Sequence, residues 1–273
     1  MSLPDLDTVV EIVINAAKQE LNPRFTLSER EYKSDGSIVT EADRAVQQVI
    51  EVVLKQQWPE ILFVGEEMSE AEQVALLNTR DQAVWCLDPV DGTSNFAAGI
   101  PFCAVSLSLL KDGNVLMGVV YDPMRDECFT AIKGEGSWLN GERLGTRMPE
   151  PPLAKGIGMV DLKRLPRELA IRIIDEKPFS SQRNVGAVAL EWCWIAAGRC
   201  HVYLHGKQRI WDYGAASLVL HEAGGHSITL DGEPVLSVSL DPRSAVAALN
   251  KELFDEWVEW LGIEINKQIA MRS

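Results

Sequence analysis

The chain has 273 residues, 46% of them hydrophobic and 24% charged, with a formal net charge of −14. That is room for one large domain or two modest ones of ordinary globular composition. The negative charge repels polyanions, so no nucleic-acid partner is expected, and a phosphate substrate would need bound cations to reverse the local field.

The start, "MSLPDLDTVVEIV", has no basic region ahead of an apolar core and does not read as a secretory signal. Apolar residues Leu6, Val9, Val10, Val13, Ile14 and Ala17 fall at helical spacing over 5–21. A second helix is predicted in "SIVTEADRAVQQVIEVVLKQQWP", where Thr40 and Asp43 make a capping-box start and Pro59 a stop. "ILFVG" and "AVWCL" read as short strands ending before Glu66-Glu67 and Asp88. Asp112-Gly113 joins two strand-like runs as a hairpin, and short strands with glycine turns continue to Leu144. The Pro-rich, polar stretch 146–156 marks a boundary between two parts. Beyond it come helices near 187–197, 211–222 and 251–261, with strands near 200–204, 226–230 and 244–249. No apolar run nears the roughly 20 residues of a membrane span. Five cysteines with no C-x-x-C pair argue against a disulfide framework and a zinc site, which fits a cytoplasmic location. Interleaved helices and hairpins predict a layered α/β architecture rather than a purely parallel sheet.

The stretch "WCLDPVDGTSNF", from Trp85 to Phe96, carries the chemistry. Alone it reads as a strand leaving into a turn, because Asp, Pro and Gly are turn residues. Yet acidic groups recur at the ends of apolar elements: Asp43, Glu66-Glu67, Asp88 with Asp91, and Asp212. Mg²⁺ takes oxygen ligands, a few carboxylates plus water and substrate phosphate. Asp88 and Asp91 could face one point, with the Val90 carbonyl between them. A helix starting at Gly92-Thr93 would offer free N–H groups to a phosphate oxygen. Each feature has a plainer reading: Glu66-Glu67 as a solvated loop, Asp212 as a helix cap, Lys33 as a surface lysine. Rival motifs fail. "HEAGGH" places its second histidine, His226, five residues on rather than four; Gly134-x-Gly136 has Leu139 where a dinucleotide loop needs glycine; no G-x-S-x-G occurs.

Five segments together resemble the inositol monophosphatase family. They are "KSDGSIVTEAD", "VGEE", "LDPVDGTSNF", "KGEGSWLNGERL" and "IWDYGAASLVLHEAGG", in order and at normal spacing from Lys33 onward. The resemblance implies an αβαβα five-layer sandwich spanning 1–273 as one unit, with parts meeting near 150. It implies a Mg²⁺-dependent, Li⁺-sensitive phosphate monoesterase that commonly forms homodimers. Matched by position, Glu66, Asp88 and the Val90 carbonyl would hold one Mg²⁺, and Asp88, Asp91 and Asp212 a second. Glu66 would also serve a weaker third site. Glu67 resembles the residue that helps place the nucleophilic water, and Asp43 with Thr93 the pair that orients and deprotonates it. Gly92 and Thr93 would bind phosphate through their N–H groups. Lys33 would lie over the site on a polar loop.

The chain departs from the family at His205, seven residues before Asp212, where inositol-specific members carry a glutamate that binds sugar hydroxyls. An imidazole is a poorer acceptor for vicinal hydroxyls than a carboxylate. The expected substrate is therefore a small phosphorylated metabolite: inositol 1-phosphate or a related sugar phosphate. The alternatives are 3′,5′-bisphosphate nucleotidase or fructose-1,6-bisphosphatase activity, or a partly non-catalytic role through partner proteins.

Overall fold

The computed structural model of the chain describes residues 3–25, 31–32, 38–79, 82–148 and 151–264. Lys33 lies outside the described residues. Helices α1 (Leu6–Glu20) and α2 (Glu41–Gln57) follow the predicted periodicity, and α2 opens with the expected capping box of Thr40 and Asp43. A short ribbon of β1 (Glu31–Tyr32) and β2 (Ile38–Val39) precedes α2. Next come β3 (Leu62–Gly65), α3 (Glu70–Leu77), β4 (Val84–Asp91) and the six-residue α4 (Thr93–Ala98). Strands β5 (Ala104–Lys111), β6 (Asn114–Asp122), β7 (Glu127–Ile132), β8 (Gly136–Leu139) and β9 (Glu142–Arg143) follow as a meander. β3 to β9 form a seven-stranded sheet in chain order, parallel between β3 and β4 and antiparallel thereafter.

After the 146–156 stretch come β10 (Ile157–Val160), α5 (Arg167–Glu176), β11 (Ser181–Arg183), α6 (Val188–Ala196), β12 (Val202–Gln208) and α7 (Ile210–Glu222). β13 (His226–Ile228), β14 (Arg243–Ala248) and α8 (Lys251–Leu261) complete the order. A second sheet runs β11-β10-β12-β14-β13.

Period-two alternation along the strands assembles the layers. Trp85 and Leu87 of β4 pack with Val9 and Val13 of α1 and Val46 and Ile50 of α2. Val84 and Cys86 point the other way, into a core shared with Trp192 of α6, Ala215 and Val219 of α7, and Tyr203 and Ala247 of the second sheet. The far face of that sheet, with Val202, Leu204 and Val246, is covered by Ile173 of α5 and Phe254 and Trp257 of α8. The order is helices, seven-stranded sheet, helices, five-stranded sheet, helices, as the αβαβα expectation required.

Two differences from the sequence expectation bear on the site. β4 does not end before Asp88 but runs through Asp91, with an irregular register: Asp88 faces Ser106 while Asp91 faces Ala104. In a regular strand residues three apart point to opposite faces; the extra residue at Pro89-Val90 restores Asp91 to the face of Asp88. The sequence reading also assigns no element to 70–77 or 167–176, which form α3 and α5. No described helix is long and apolar enough to cross a membrane.

Candidate active site

The site forms where β3 and β4 end and where α2, α6 and α7 begin. β3 pairs in parallel with β4, Gly65 beside Leu87, and the Glu66 N–H donates to the Leu87 carbonyl (3.0 Å), which brings Glu66 alongside Asp88. Two glutamines pin the Glu66-Glu67 turn. Gln73 Nε2 donates to the carbonyls of Gly65 (2.9 Å) and Glu66 (3.0 Å), and Gln47 Oε1 accepts from the Glu67 N–H (3.1 Å). Neither glutamine stands out in the sequence, although the S-x-x-E cap of α3 at Ser69 and Glu72 was a legible sign of the helix that carries Gln73.

Within β4, Asp88 Oδ1 accepts from the Val90 N–H (3.0 Å), which fixes the bulge. Asp91 reaches across to α6, where Val188 and Ala189 donate their N–H groups to its two oxygens at 3.0 and 2.7 Å. Gly92 has φ +88, and a Cβ there would lie 2.7 Å from the Phe102 carbonyl and 3.3 Å from the Gly186 carbonyl. Glycine is therefore required twice over, for the left-handed turn and for the close approach. Asn95 donates to the Val185 and Phe102 carbonyls (2.6 and 2.9 Å), and Glu191, 2% exposed, accepts from the Val185 and Gly186 N–H groups. The β4–α4 turn and the turn before α6 are thus locked together.

Asp212 sits in the first turn of α7 and accepts from the Arg209 N–H (2.7 Å). Ser106, the cross-strand neighbour of Asp88, donates to the Trp211 carbonyl (3.0 Å) and tethers this helix start to the sheet. From the opposite layer, Asp43 accepts from the Thr40 N–H and hydroxyl (2.7 and 2.6 Å). Thr93 Oγ1 lies 3.0 Å from Asp43 Oδ1 and 2.9 Å from the Val90 carbonyl.

Electrostatics records the crowding. Burial pushes Asp88 well above the usual carboxylate range, and Glu66, Asp91, Asp212 and Asp43 push it further. Asp91 rises to about 7, chiefly through burial and against the opposing α6 N–H groups. Asp212 rises to about 7 through burial and then the Asp91 charge, and Asp43 to about 6 through burial, opposed by Thr40 and Thr93. Glu67 adds its charge to Asp43. The four neighbours that push Asp88 up most are all acidic, an all-oxygen donor set of the kind hard divalent cations take. Among the described residues no three His, Cys, Asp or Glu side chains stand close enough to form a ready ligand group.

His205 lies on β12, 4% exposed, with Nε2 3.4 Å from Asp161 Oδ2 and Nδ1 buried without a partner among the described residues. Asp161, just beyond β10, was not singled out by sequence. It reaches His205 because β10 and β12 are parallel neighbours, and the Asp161 N–H donates to the Leu204 carbonyl (3.1 Å). Glu222 of "HEAGGH" is structural: its carboxylate accepts from the Gly134 and Gly136 N–H groups (2.7 and 2.9 Å).

The sequence model of the inositol monophosphatase family matches residues 5–260. Inositol monophosphatase 1 of Bos taurus is 31% identical over 250 residues, covering 89% of this chain and 86% of the relative. A Nus factor SuhB of Pasteurella multocida is 31% identical over 264 residues, covering 90% and 96%. Among solved structures, the extragenic suppressor protein suhB of Bartonella henselae superposes with a TM-score of 0.82 at 28% identity, covering 94% of this chain and 97% of that one. Inositol monophosphate-bound SaIMPase-II, from Staphylococcus aureus, superposes with a TM-score of 0.75 at 25% identity, covering 93% and 90%. The five motifs, the five layers and these relatives agree: the chain belongs to the inositol monophosphatase family and is a phosphoric monoester hydrolase.

Proposed function

We propose that the chain hydrolyses a small phosphate monoester, inositol 1-phosphate or a related sugar phosphate, with Mg²⁺ as cofactor and water as nucleophile. What carries this reading is the crowding of Glu66, Asp91, Asp212 and Asp43 around the buried carboxylate of Asp88. Glu66, Asp88 and the Val90 carbonyl would hold one Mg²⁺, and Asp88, Asp91 and Asp212 a second, with Glu66 serving a weaker third. Such ions supply charge neutralisation for the phosphate and a lowered pKa for the attacking water.

Thr93 and Asp43 handle the proton. A hydroxyl has one hydrogen to donate. When Thr93 gives it to Asp43, its lone pairs remain to accept from water, and the proton has a carboxylate to end on. Glu67 contributes negative charge beside that pair and helps place the water. The N–H groups of Gly92 and Thr93 take phosphate oxygens. The whole chain acts as one unit, in the cytoplasm and as a homodimer, with the Li⁺ sensitivity of its family.

His205 would face the leaving group. Bound inositol monophosphate in SaIMPase-II supports a polyol phosphate as substrate class. A phosphate-release screen over inositol 1-phosphate, fructose 1,6-bisphosphate and 3′,5′-bisphosphate nucleotides, with wild type and His205→Glu, tests the choice. His205→Glu should raise kcat/KM on inositol 1-phosphate about tenfold, the worth of a charge-assisted acceptor. No gain on that ester would remove His205 from the substrate pocket. A second reading, a partner-dependent role, is favoured by the relatives named Nus factor SuhB. A net charge of −14 favours protein over nucleic acid as such a partner.

A further inference from the structure

Beside the acidic cleft the chain carries cations that the phosphatase reading does not use. After β10 a tight turn, Leu162–Arg164, lies directly on β12. A Cβ at Gly206 would sit 1.8 Å from the Arg164 carbonyl, so only glycine lets the two backbones approach this closely. His205 precedes that glycine and Lys207 follows it. Asp161 lies between the two basic groups, 3.4 Å from His205 Nε2 and 3.7 Å from Arg164 Nε. The Arg164 side chain is 53% exposed, and its terminal nitrogens make no hydrogen bond among the described residues. Lys163 and Lys207 are exposed and make no ion pair among the described residues.

We infer that Arg164, flanked by Lys163 and Lys207, forms a subsite for a second anionic group, a phosphate or carboxylate, on the leaving-group side of the substrate. The chemistry is that of the guanidinium fork. Asp161 stands 3.7 Å from Nε, and the two terminal nitrogens, which make no hydrogen bond among the described residues, are available for a planar, bidentate contact with an oxyanion. β10 and β12 run parallel and end at the edge where α7 opens with Asp212, so Arg164, just past β10, stands at the same edge as the cleft. In a chain of net charge −14, Arg164 with the exposed Lys163 and Lys207 beside a cluster of carboxylates offers a dianionic ester a locally positive field. His205 does not supply this contact: it is buried and held by Asp161. The inference rests on the phosphatase reading for the position of the scissile phosphate and narrows the substrate class to bis-anionic esters.

The test compares inositol 1,4-bisphosphate with inositol 1-phosphate, alongside equilibrium binding of the matching non-hydrolysable phosphonates. Wild type should favour the bisphosphate about tenfold in kcat/KM, and the bisphosphonate about tenfold in binding. Arg164→Ala should bring both ratios near one, and Arg164→Lys, which keeps the charge and loses the fork, should fall between. Lys177→Ala removes the same charge at the end of α5 and should leave both ratios at the wild-type value. Equal ratios in wild type and Arg164→Ala would overturn the subsite. Release of phosphate from neither ester would overturn the phosphatase reading instead, and the phosphonate ratio would still decide on Arg164.

Discussion

Asp91 and Ala189 are 98 residues apart in sequence, and the carboxylate of the first accepts the backbone N–H of the second at 2.7 Å. With the matching bond from Val188, this makes an acid of the β4 bulge the cap of a helix in the other part of the chain. A candidate metal ligand is thereby also a structural joint. Its orientation is set before any cation arrives, because two helix-terminal N–H groups and the positive end of α6 hold it.

That double duty separates two substitutions. Asp91→Asn keeps one acceptor oxygen for the helix N–H groups, whereas Asp91→Ala leaves both buried donors unpaired. We expect both variants to lose Mg²⁺-dependent turnover, with Asp91→Asn more stable than Asp91→Ala by about 1–2 kcal/mol. Urea unfolding in EDTA measures the difference; equal stabilities would show that the cap contributes nothing.

Thr93 stands between Asp43 and the Val90 carbonyl with a single proton to give. Thr93→Ala should lower kcat by roughly 10²-fold, the usual worth of positioned proton transfer, while KM moves little. A change confined to KM would recast Thr93 as a uniform binding group.

The cluster also sets a pH dependence. Asp43 lies at about 6 and Asp91 and Asp212 at about 7, in each case mainly through burial, against about 3.9 for an unfolded aspartate. Between pH 4 and 7 the metal-free folded state therefore holds protons that the unfolded state has released. Stability linked to these groups is full below pH 4 and is lost as pH rises to 7. In the proposed site Mg²⁺ would replace those protons, so the rise in Tm on adding Mg²⁺ should be larger at pH 8 than at pH 5. A rise equal at both pH values would mean that the cation binds elsewhere.

Much of this was legible in residue order, and the reasons are local. The Thr40–Asp43 capping box announces itself within four residues, and the turn at Asp112-Gly113 sits between two apolar runs. The alternation of Val84, Trp85, Cys86 and Leu87 places β4 between two cores. The bulge was not legible, because Asp-Pro-x-Asp-Gly serves equally as a strand exit. Only the pairing of Asp88 with Ser106 and Asp91 with Ala104 shows that pairing continues. The contacts of Asp91 with α6, of Glu191 with Val185 and Gly186, and of Asp161 with His205 depend on tertiary register, which no local pattern encodes. The departure at His205 stands in the sequence, but the Asp161 carboxylate beside it does not.

Asp88 is where the metal reading concentrates, since Glu66, Asp91, Asp212 and Asp43 all act on it. The most direct measurement is phosphate release from a small monoester by purified wild type and Asp88→Asn, each titrated with Mg²⁺. Wild type should be silent in EDTA and saturate with Mg²⁺, and Asp88→Asn should lose on the order of 10³-fold or more in kcat, several kcal/mol of barrier. Wild-type turnover that survives EDTA, or near-normal Mg²⁺-dependent turnover by Asp88→Asn, would contradict it.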